Sequence, residues 1–326
     1  MRIAVTGSIA TDRPMVFPGR FAEQLIKEQS ERVSLSFLAD GLEVRRGAVG
    51  ANTAFGLGLV GMDPLLAGAA GADFAEYGSW LRAHGVDTSA VRVSGTLHTA
   101  RLVCTTDAEH SQIVTCYAGA MAEASRTGLA AAVARTGSPA LVLAGADDPG
   151  AVVRHTATAH RLGIPVAADP SQQLARLDRG QARQLLDGAR WLFTNEYEAA
   201  LPAERTGWTR EDLLGRVGTW ITTPGAAGVS PARAGAPAPR VPAVPVARTA
   251  DPTGAGDAFR SGFLAGLSWR PPKERAARLG CAPAATVLEP VGTQEHKVVA
   301  ADLTARIERA YGHDAARVVE PRLAGV

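Results

Sequence analysis

PALVLAGADDPGAVVRHTATAHRLGIPVAAD, residues 139–169, reads as one strand–helix–strand unit. An apolar run ends in a glycine, a segment with helical spacing follows, and a second apolar run ends in an aspartate. Short apolar runs that do not alternate suit strands buried on both faces, as in a parallel sheet covered by helices. The same rhythm recurs in RIAVTG at the start, RWLFTN at 190–195 and TWITT at 219–223, with helix formers over 150–162 and 174–188. The pattern predicts a doubly wound, mainly parallel α/β sheet flanked by helices. Ligands in such sheets bind beyond the carboxyl ends of the strands, which singles out Gly7, Ser8, Gly145, Asp169, Asn195 and Thr223.

Two stretches break this rhythm. Residues 12–46 include VSLSFLAD and LEVRRG, and residues 96–117 include HTARLVCTT and SQIVTCY, with β-branched residues and partial alternation. Each is expected to form strands of a small β lid, 12–46 with 96–117, standing over a core made of 1–11, 47–95 and 118–326. The Pro-rich segment SPARAGAPAPRVPAVPVAR, 230–248, is expected at an edge or in a loop, because proline lacks the ladder donor.

The 326 residues carry 34 Lys+Arg against 32 Asp+Glu, a net charge of +2, with 46% hydrophobic residues. This profile suits a globular chain and supplies no electrostatic footprint for nucleic acid or a membrane surface. No apolar run approaches the roughly 20 residues that cross a bilayer. MRIAVTGS enters a strand at once, without the regions of a secretory signal, so a cytoplasmic location is expected. Cys104, Cys116 and Cys281 are too few for a disulfide framework and are read as free thiols. His155 and His160 are off the one-face spacing of a helical zinc pair. No GxxxxGK[ST] occurs, and the glycines at 254 and 256 lack the third glycine of a dinucleotide fingerprint.

The densest chemistry lies in DPTGAGDAF, 251–259, followed by the helix-compatible RSGFLAGL. Gly254 and Gly256 allow the backbone around Ala255 to turn its amides inward, and the helix that starts there adds about half a positive charge at its N-terminus. The result is a nest for an anion. Asp257 within it is placed to accept the proton of an attacking hydroxyl during phosphoryl transfer, while the amides of Gly254, Ala255 and Gly256 stabilise the charge that develops. A glycine-rich turn with Asp257 as a helix cap reads the same letters without chemistry.

DPTGAGDAF matches the C-terminal signature of the ribokinase, or PfkB, family of sugar and nucleoside kinases, and the resemblance covers nearly the whole chain. It implies that Asp257 is the catalytic base and that the preceding amides form an anion hole. NEYE, 195–198, resembles the family's Asn-x-x-Glu motif, which implies that Asn195 and Glu198 help place ATP and Mg²⁺, largely through water as a hard cation prefers; alone, both would be cap residues. In TGSIATD, 6–12, the resemblance implies contacts of Ser8 and Asp12 with substrate, the Asp12 carboxylate holding two sugar hydroxyls. RRGAVGAN, 45–52, resembles the Gly-Gly element followed by a sugar-binding Asn, here Gly47, Gly50 and Asn52. Ala48 stands where a second glycine is usual, and alanine adopts positive φ less cheaply. TTPGAAG, 222–228, resembles the nucleotide-side loop, which implies that Thr223, Gly225 and Gly228 lie along ATP.

Finer details resemble the actinobacterial type of adenosine kinase: TGSIATD, VSLSFLAD, ADPSQQLARL at 168–177, DPTGAGDAFR and VGTQE at 291–295. They imply that Ser36, Gln172 and Gln173 contact the nucleoside, since amides suit a purine edge. Phe37 is either a stacking ring or lid packing. The chain departs from that type at Leu102 and Cys116, where phenylalanines would sandwich the base, and Pro283 predicts an interrupted helix. The resemblance further implies K⁺ beside Asp251 and Thr253, and a homodimer through the lid. The expected activity is ATP-dependent phosphorylation of the 5′-hydroxyl of a ribonucleoside, adenosine or an analogue. The alternatives are a sugar kinase on the same core and a nucleoside-binding protein with little or no catalysis.

Overall fold

The apolar runs become strands whose successive side chains feed two separate cores. The computed structural model describes residues 2–24, 36–237, 239–269 and 273–323. Its strands, in chain order, are β1 Ile3–Thr6, β2 Ala10–Val16, β3 Gly41–Leu42, β4 Arg45–Gly47, β5 Leu65–Ala67, β6 Ala69–Ala70, β7 Arg92–Val93, β8 Ala100–Thr106, β9 Gln112–Tyr117, β10 Leu141–Gly145, β11 Val166–Asp169, β12 Trp191–Asn195, β13 Trp220–Thr223 and β14 Ser230–Ala232. Seven of them form the main sheet in the order β14-β13-β12-β11-β10-β1-β5, parallel throughout except for β13 with β14. Ile3, Val5, Leu141, Leu143 and Phe193 pack on one face with the helices Val49–Leu59, Ala255–Ser268 and Lys273–Val287. Ala4, Val142, Val166, Ala168 and Leu192 pack on the other with Leu129–Thr136, Pro149–Arg161 and Arg179–Leu186. The period of two along a strand thus divides one apolar run between two layers.

Local signals set the helix ends. Asp148 caps Pro149–Arg161 by accepting from the Ala151 amide at 3.1 Å, with proline in the first turn where its missing N–H costs nothing. The helix expected over 174–188 starts later, at Arg179, because Asp178 and Gln181 form a capping box there and a 3₁₀ turn, Ser171–Arg176, precedes it. β14 carries Pro231 and sits at the sheet edge, where a lost donor is tolerated.

Pro283 does not interrupt its helix. Lys273–Val287 runs through it, because the proline ring seats against Gly262 on the neighbouring helix: a Cβ at Gly262 would lie 2.7 Å from Pro283 Cγ and 2.9 Å from the Leu279 carbonyl that the proline leaves without a donor. Gly280 meets Phe259 as closely, a Cβ there falling 2.7 Å from the Phe259 carbonyl. These glycines let the two helices touch backbone to backbone.

The second sheet pairs β3 and β4 with β2, β2 with β8 in parallel, and β8 with β9. Of VSLSFLAD, residues 33–35 lie outside the described residues, and 36–40 form no strand. Phe37 instead closes a three-ring cluster with Phe17 and Phe21, at centroid separations of 4.9 and 5.2 Å. This sheet joins the main one through Ser8–Ile9 and through the helix Val49–Leu59. That helix crosses the end of β1 at two glycines, since a Cβ on Gly50 would lie 2.5 Å from the Gly7 carbonyl carbon.

Candidate active site

DPTGAGDAF forms a turn that ends in a helix. Gly254, at φ +82°, is the residue before Ala255–Ser268, in the left-handed region where a side chain would be strained, and its Cα faces Thr293. A Cβ on Gly256 would lie 2.5 Å from Arg260 Nη1. The amides of this first turn have no acceptor within the helix. Asp251 ties the turn down: its carboxylate accepts from the Thr253 amide at 2.9 Å and the Gly292 amide at 3.0 Å. Burial opposes its ionisation, but these bonds and Arg45 prevail and hold it below the usual carboxylate range.

Asp257 is half-buried in the first turn and receives a hydrogen bond from Asn52 Nδ2 at 2.9 Å. Burial pushes its pKa up to about 6; Asp169 and Glu198 push the same way, while Arg260 and Asn52 oppose them. Arg260 is buried, 2.5 Å from Asp169, and serves as the positive centre for Asp169, Asp257 and Glu198 together. Asp169, wholly buried at the end of β11, is raised by burial against the pull of Arg260.

Asn195 and Glu198 brace each other. The Glu198 amide donates to Asn195 Oδ1 at 2.7 Å, and the Asn195 amide returns to Glu198 Oε2 at 3.0 Å. Ser171, at φ +50°, donates its hydroxyl to Glu198 Oε1 at 2.9 Å. Thr223 sits beside Asn195 in the β12–β13 register, and the Gly225–Ala227 turn follows with Gly225 at φ +59° and Gly228 at φ +90°. A Cβ on Gly228 would lie 2.1 Å from the Val241 carbonyl, so this loop needs glycine. Gln172 is exposed, and Gln173 accepts from Arg176 at 3.2 Å.

On the β1 side, the Ser8 amide donates to the Ala146 carbonyl at 3.0 Å, and Asp12 lies on β2. A Cβ on Gly47 would come within 2.9 Å of Asp12 Oδ2. Burial raises the Asp12 pKa, with Arg45 opposing and Asp251 adding to the rise. Register puts Asp12, Leu102 and Cys116 in one row across β2, β8 and β9, their side chains on one face. Cys116 and Ser36 are exposed. Ala48 occupies φ +79°, ψ 148° at the start of Val49–Leu59.

Asn52 is buried and engaged at both ends of its amide: beside the bond from its Nδ2 to Asp257, its Oδ1 lies 2.9 Å from the Thr293 hydroxyl and 3.0 Å from Gln294 Nε2. Thr293, Gln294, Ser171 and Arg260, to which the sequence assigns no role, join this cluster, as does Asp169, which the sequence singles out only by its place at the end of a strand. VGTQE and DPTGAGDAFR were visible as strings, but nothing in them states that Gln294 meets Asn52 or that Arg260 meets Asp169. Among the described residues no group of three or more His, Cys, Asp and Glu is arranged to hold a metal, and no helix is long and apolar enough to cross a membrane.

The pfkB family carbohydrate kinase model matches residues 17–299. A nucleoside kinase of Burkholderia thailandensis, solved in complex with inosine, is 32% identical and superposes with a TM-score of 0.82 over 95% of this chain and 98% of that one. A nucleoside kinase of Methanothermobacter thermautotrophicus is 27% identical over 82% of this chain and 86% of its own length. A nucleoside kinase of Methanocaldococcus jannaschii is 28% identical over 144 residues, about half its length. Its fold is shared too: the solved structure has a TM-score of 0.82 at 22% identity, over 94% of this chain and 98% of that one. With a glycine turn, a helix N-terminus and a carboxylate drawn together at the end of a parallel sheet, the chain belongs to the pfkB family of carbohydrate kinases, phosphotransferases that act on a hydroxyl group.

Proposed function

We propose that the protein is an ATP-dependent nucleoside kinase that transfers the γ-phosphoryl group to the 5′-hydroxyl of a purine ribonucleoside, adenosine or a close analogue such as inosine. The observation that carries this reading is Asp257, lifted to about 6 and hydrogen-bonded to Asn52 in the first turn of a glycine-led helix. A base in that position is ionised at neutral pH yet basic enough to take a proton.

In the proposed step the 5′-oxygen attacks the γ-phosphorus, the bond to the β–γ bridging oxygen breaks, and ADP leaves with that electron pair. The hydroxyl proton passes to Asp257. The amides of Gly254, Ala255 and Gly256 face the transferred group, and Asp12 with Asn52 orients the ribose. Leu102 and Cys116, in line with Asp12, form the wall for the base, which they contact by apolar packing in place of ring stacking. Thr223, Gly225 and Gly228 lie along ATP.

Glu198 and Asn195 suit Mg²⁺ held through water, because the Glu198 carboxylate is already fixed by Ser171 and the Asn195 amide and keeps lone pairs free. Bound there with ATP, the ion would neutralise phosphate charge. The similarity to nucleoside kinases of Burkholderia thailandensis and Methanothermobacter thermautotrophicus supports a nucleoside acceptor, and the ADP-inosine complex of the Burkholderia thailandensis kinase supports a nucleotide donor.

The test is ATP consumption together with product mass, measured on adenosine, inosine, guanosine, cytidine, ribose and fructose, with Asp257→Asn alongside. Nucleoside 5′-monophosphate is expected, and Asp257→Asn is expected to lower kcat by about 10²–10⁴-fold. Transfer to a free sugar and to no nucleoside would overturn the acceptor. Tight nucleoside binding without turnover in the wild type would overturn the kinase reading.

A further inference from the structure

A polar chain runs behind the proposed base, and its two ends allow only one direction of hydrogen bonding. At the outer end is Trp80, whose indole N–H can only donate; it points to Gln294 Oε1 at 3.2 Å. The oxygen of the Gln294 amide is thereby committed, so its NH₂ faces the other way. That NH₂ donates to the Tyr77 hydroxyl at 2.6 Å and to Asn52 Oδ1 at 3.0 Å. Tyr77 in turn donates to the Gly47 carbonyl at 3.0 Å, a group that can only accept. The Thr293 hydroxyl, 2.9 Å from Asn52 Oδ1, also lies 2.9 Å from the Arg46 carbonyl. The inner end is the Asp257 carboxylate, an acceptor when ionised, reached by Asn52 Nδ2 at 2.9 Å.

An asparagine amide is nearly symmetric in shape, so which end carries the N–H groups is decided by its partners, here Asp257 on one side and Gln294 on the other. If Asn52 turned over, its oxygen would face the oxygen of Asp257, and its NH₂ would face the NH₂ of Gln294. Gln294, Tyr77 and Asn52 are all buried, so a mismatched donor or acceptor there has no water to turn to. The ring of Trp80 is held in turn, stacked on Phe55 at 6.1 Å with the Arg46 guanidinium 4.4 Å from its centroid.

We infer that Gln294, anchored by Trp80, is a positioning residue that keeps the Asn52 amide turned with its NH₂ toward the proposed base Asp257. This rests on the kinase reading above and names residues, Trp80, Tyr77 and Gln294, that touch neither the reacting atoms nor the phosphates. The amide of Asn52 has two N–H groups, one committed to Asp257; the chain therefore aims the second as well, at the ribose.

The test uses Gln294→Met, of similar shape without hydrogen-bonding groups at the amide, and Trp80→Phe, which keeps a smaller ring against Phe55 and removes the donor. Both variants, and the double variant, are measured with ATP and inosine below their melting temperatures. Gln294→Met is expected to lower kcat/KM for inosine about 10- to 100-fold, and Trp80→Phe about 3- to 10-fold, with KM for ATP within about 3-fold of wild type. In the Gln294→Met background Trp80→Phe is expected to add less than about 2-fold, because a donor with nothing to orient has no further effect. Should Gln294→Met fail to fold, Trp80→Phe alone decides by the same split between inosine and ATP. Wild-type kcat/KM in either folded variant, full additivity, or a loss confined to KM for ATP would overturn the inference. Asp257→Asn is measured in parallel: retained turnover there sinks the kinase reading itself, whereas an inactive Asp257→Asn beside an unaffected Gln294→Met sinks only the positioning chain.

Discussion

The carboxylate proposed as the base should weaken the fold that holds it. Asp257 has a pKa of about 6 in the folded protein against 3.8 as an ordinary aspartate, with burial as the main cause. Between those two values the folded state binds a proton that the unfolded chain does not, so the stability due to this group falls as pH rises from about 4 to about 6 and is level above that. At about 1.36 kcal/mol per pKa unit the ionised group costs roughly 2–3 kcal/mol at pH 8, toward the lower end because the carboxyl is only half-buried. Asp257→Asn imitates the neutral acid, and its amide oxygen still accepts from Asn52. The variant should therefore be more stable than wild type at pH 8, by roughly 3–4 °C in Tm for a chain of this length. Thermal melts of both proteins without ligand from pH 8 to pH 4 provide the measurement. The gap should close toward pH 4. A variant less stable than wild type at pH 8, or a gap that stays constant with pH, would refute the electrostatic reasoning, whatever happens to turnover.

Other outcomes follow from individual positions. Ala48→Gly removes a side chain from φ +79°, ψ 148°, and should stabilise the protein by about 1 kcal/mol after the extra freedom of glycine in the unfolded chain is subtracted, read from urea midpoints; a lower midpoint would contradict the strain. Gly280→Ala drives a methyl to 2.7 Å from the Phe259 carbonyl and should cost about 1–3 kcal/mol by the same measurement. Unchanged stability would mean that the two helices are not in backbone contact. Leu102→Phe together with Cys116→Phe should tighten adenosine binding by about 1–3 kcal/mol per stacked ring, measured by calorimetry. Equal Kd values in variant and wild type would remove those two positions from the base wall.

Much of the site is legible in the chain because it is built from local turns. A glycine turn that opens a helix, an Asn three residues before a Glu, and a strand that ends in Gly-Ser each form their geometry within a few residues, and the alternation of apolar runs with helical segments was enough for the parallel sheet. Other features depend on residues far apart in sequence. Gln294 meets Asn52 across 242 positions, and the buried partner of Asp169, at the end of a strand, is Arg260 on the helix Ala255–Ser268. Pro283 is tolerated only because Gly262 on the facing helix leaves room for its ring. Ala48 is visible as an unexpected letter, but its positive φ is imposed by where β4 ends and the next helix must begin. Short-range sterics and hydrogen bonding write a motif into neighbouring residues; the charge on a buried carboxylate and the orientation of a buried amide are set by whatever the folded chain packs against them, and only the tertiary structure decides that.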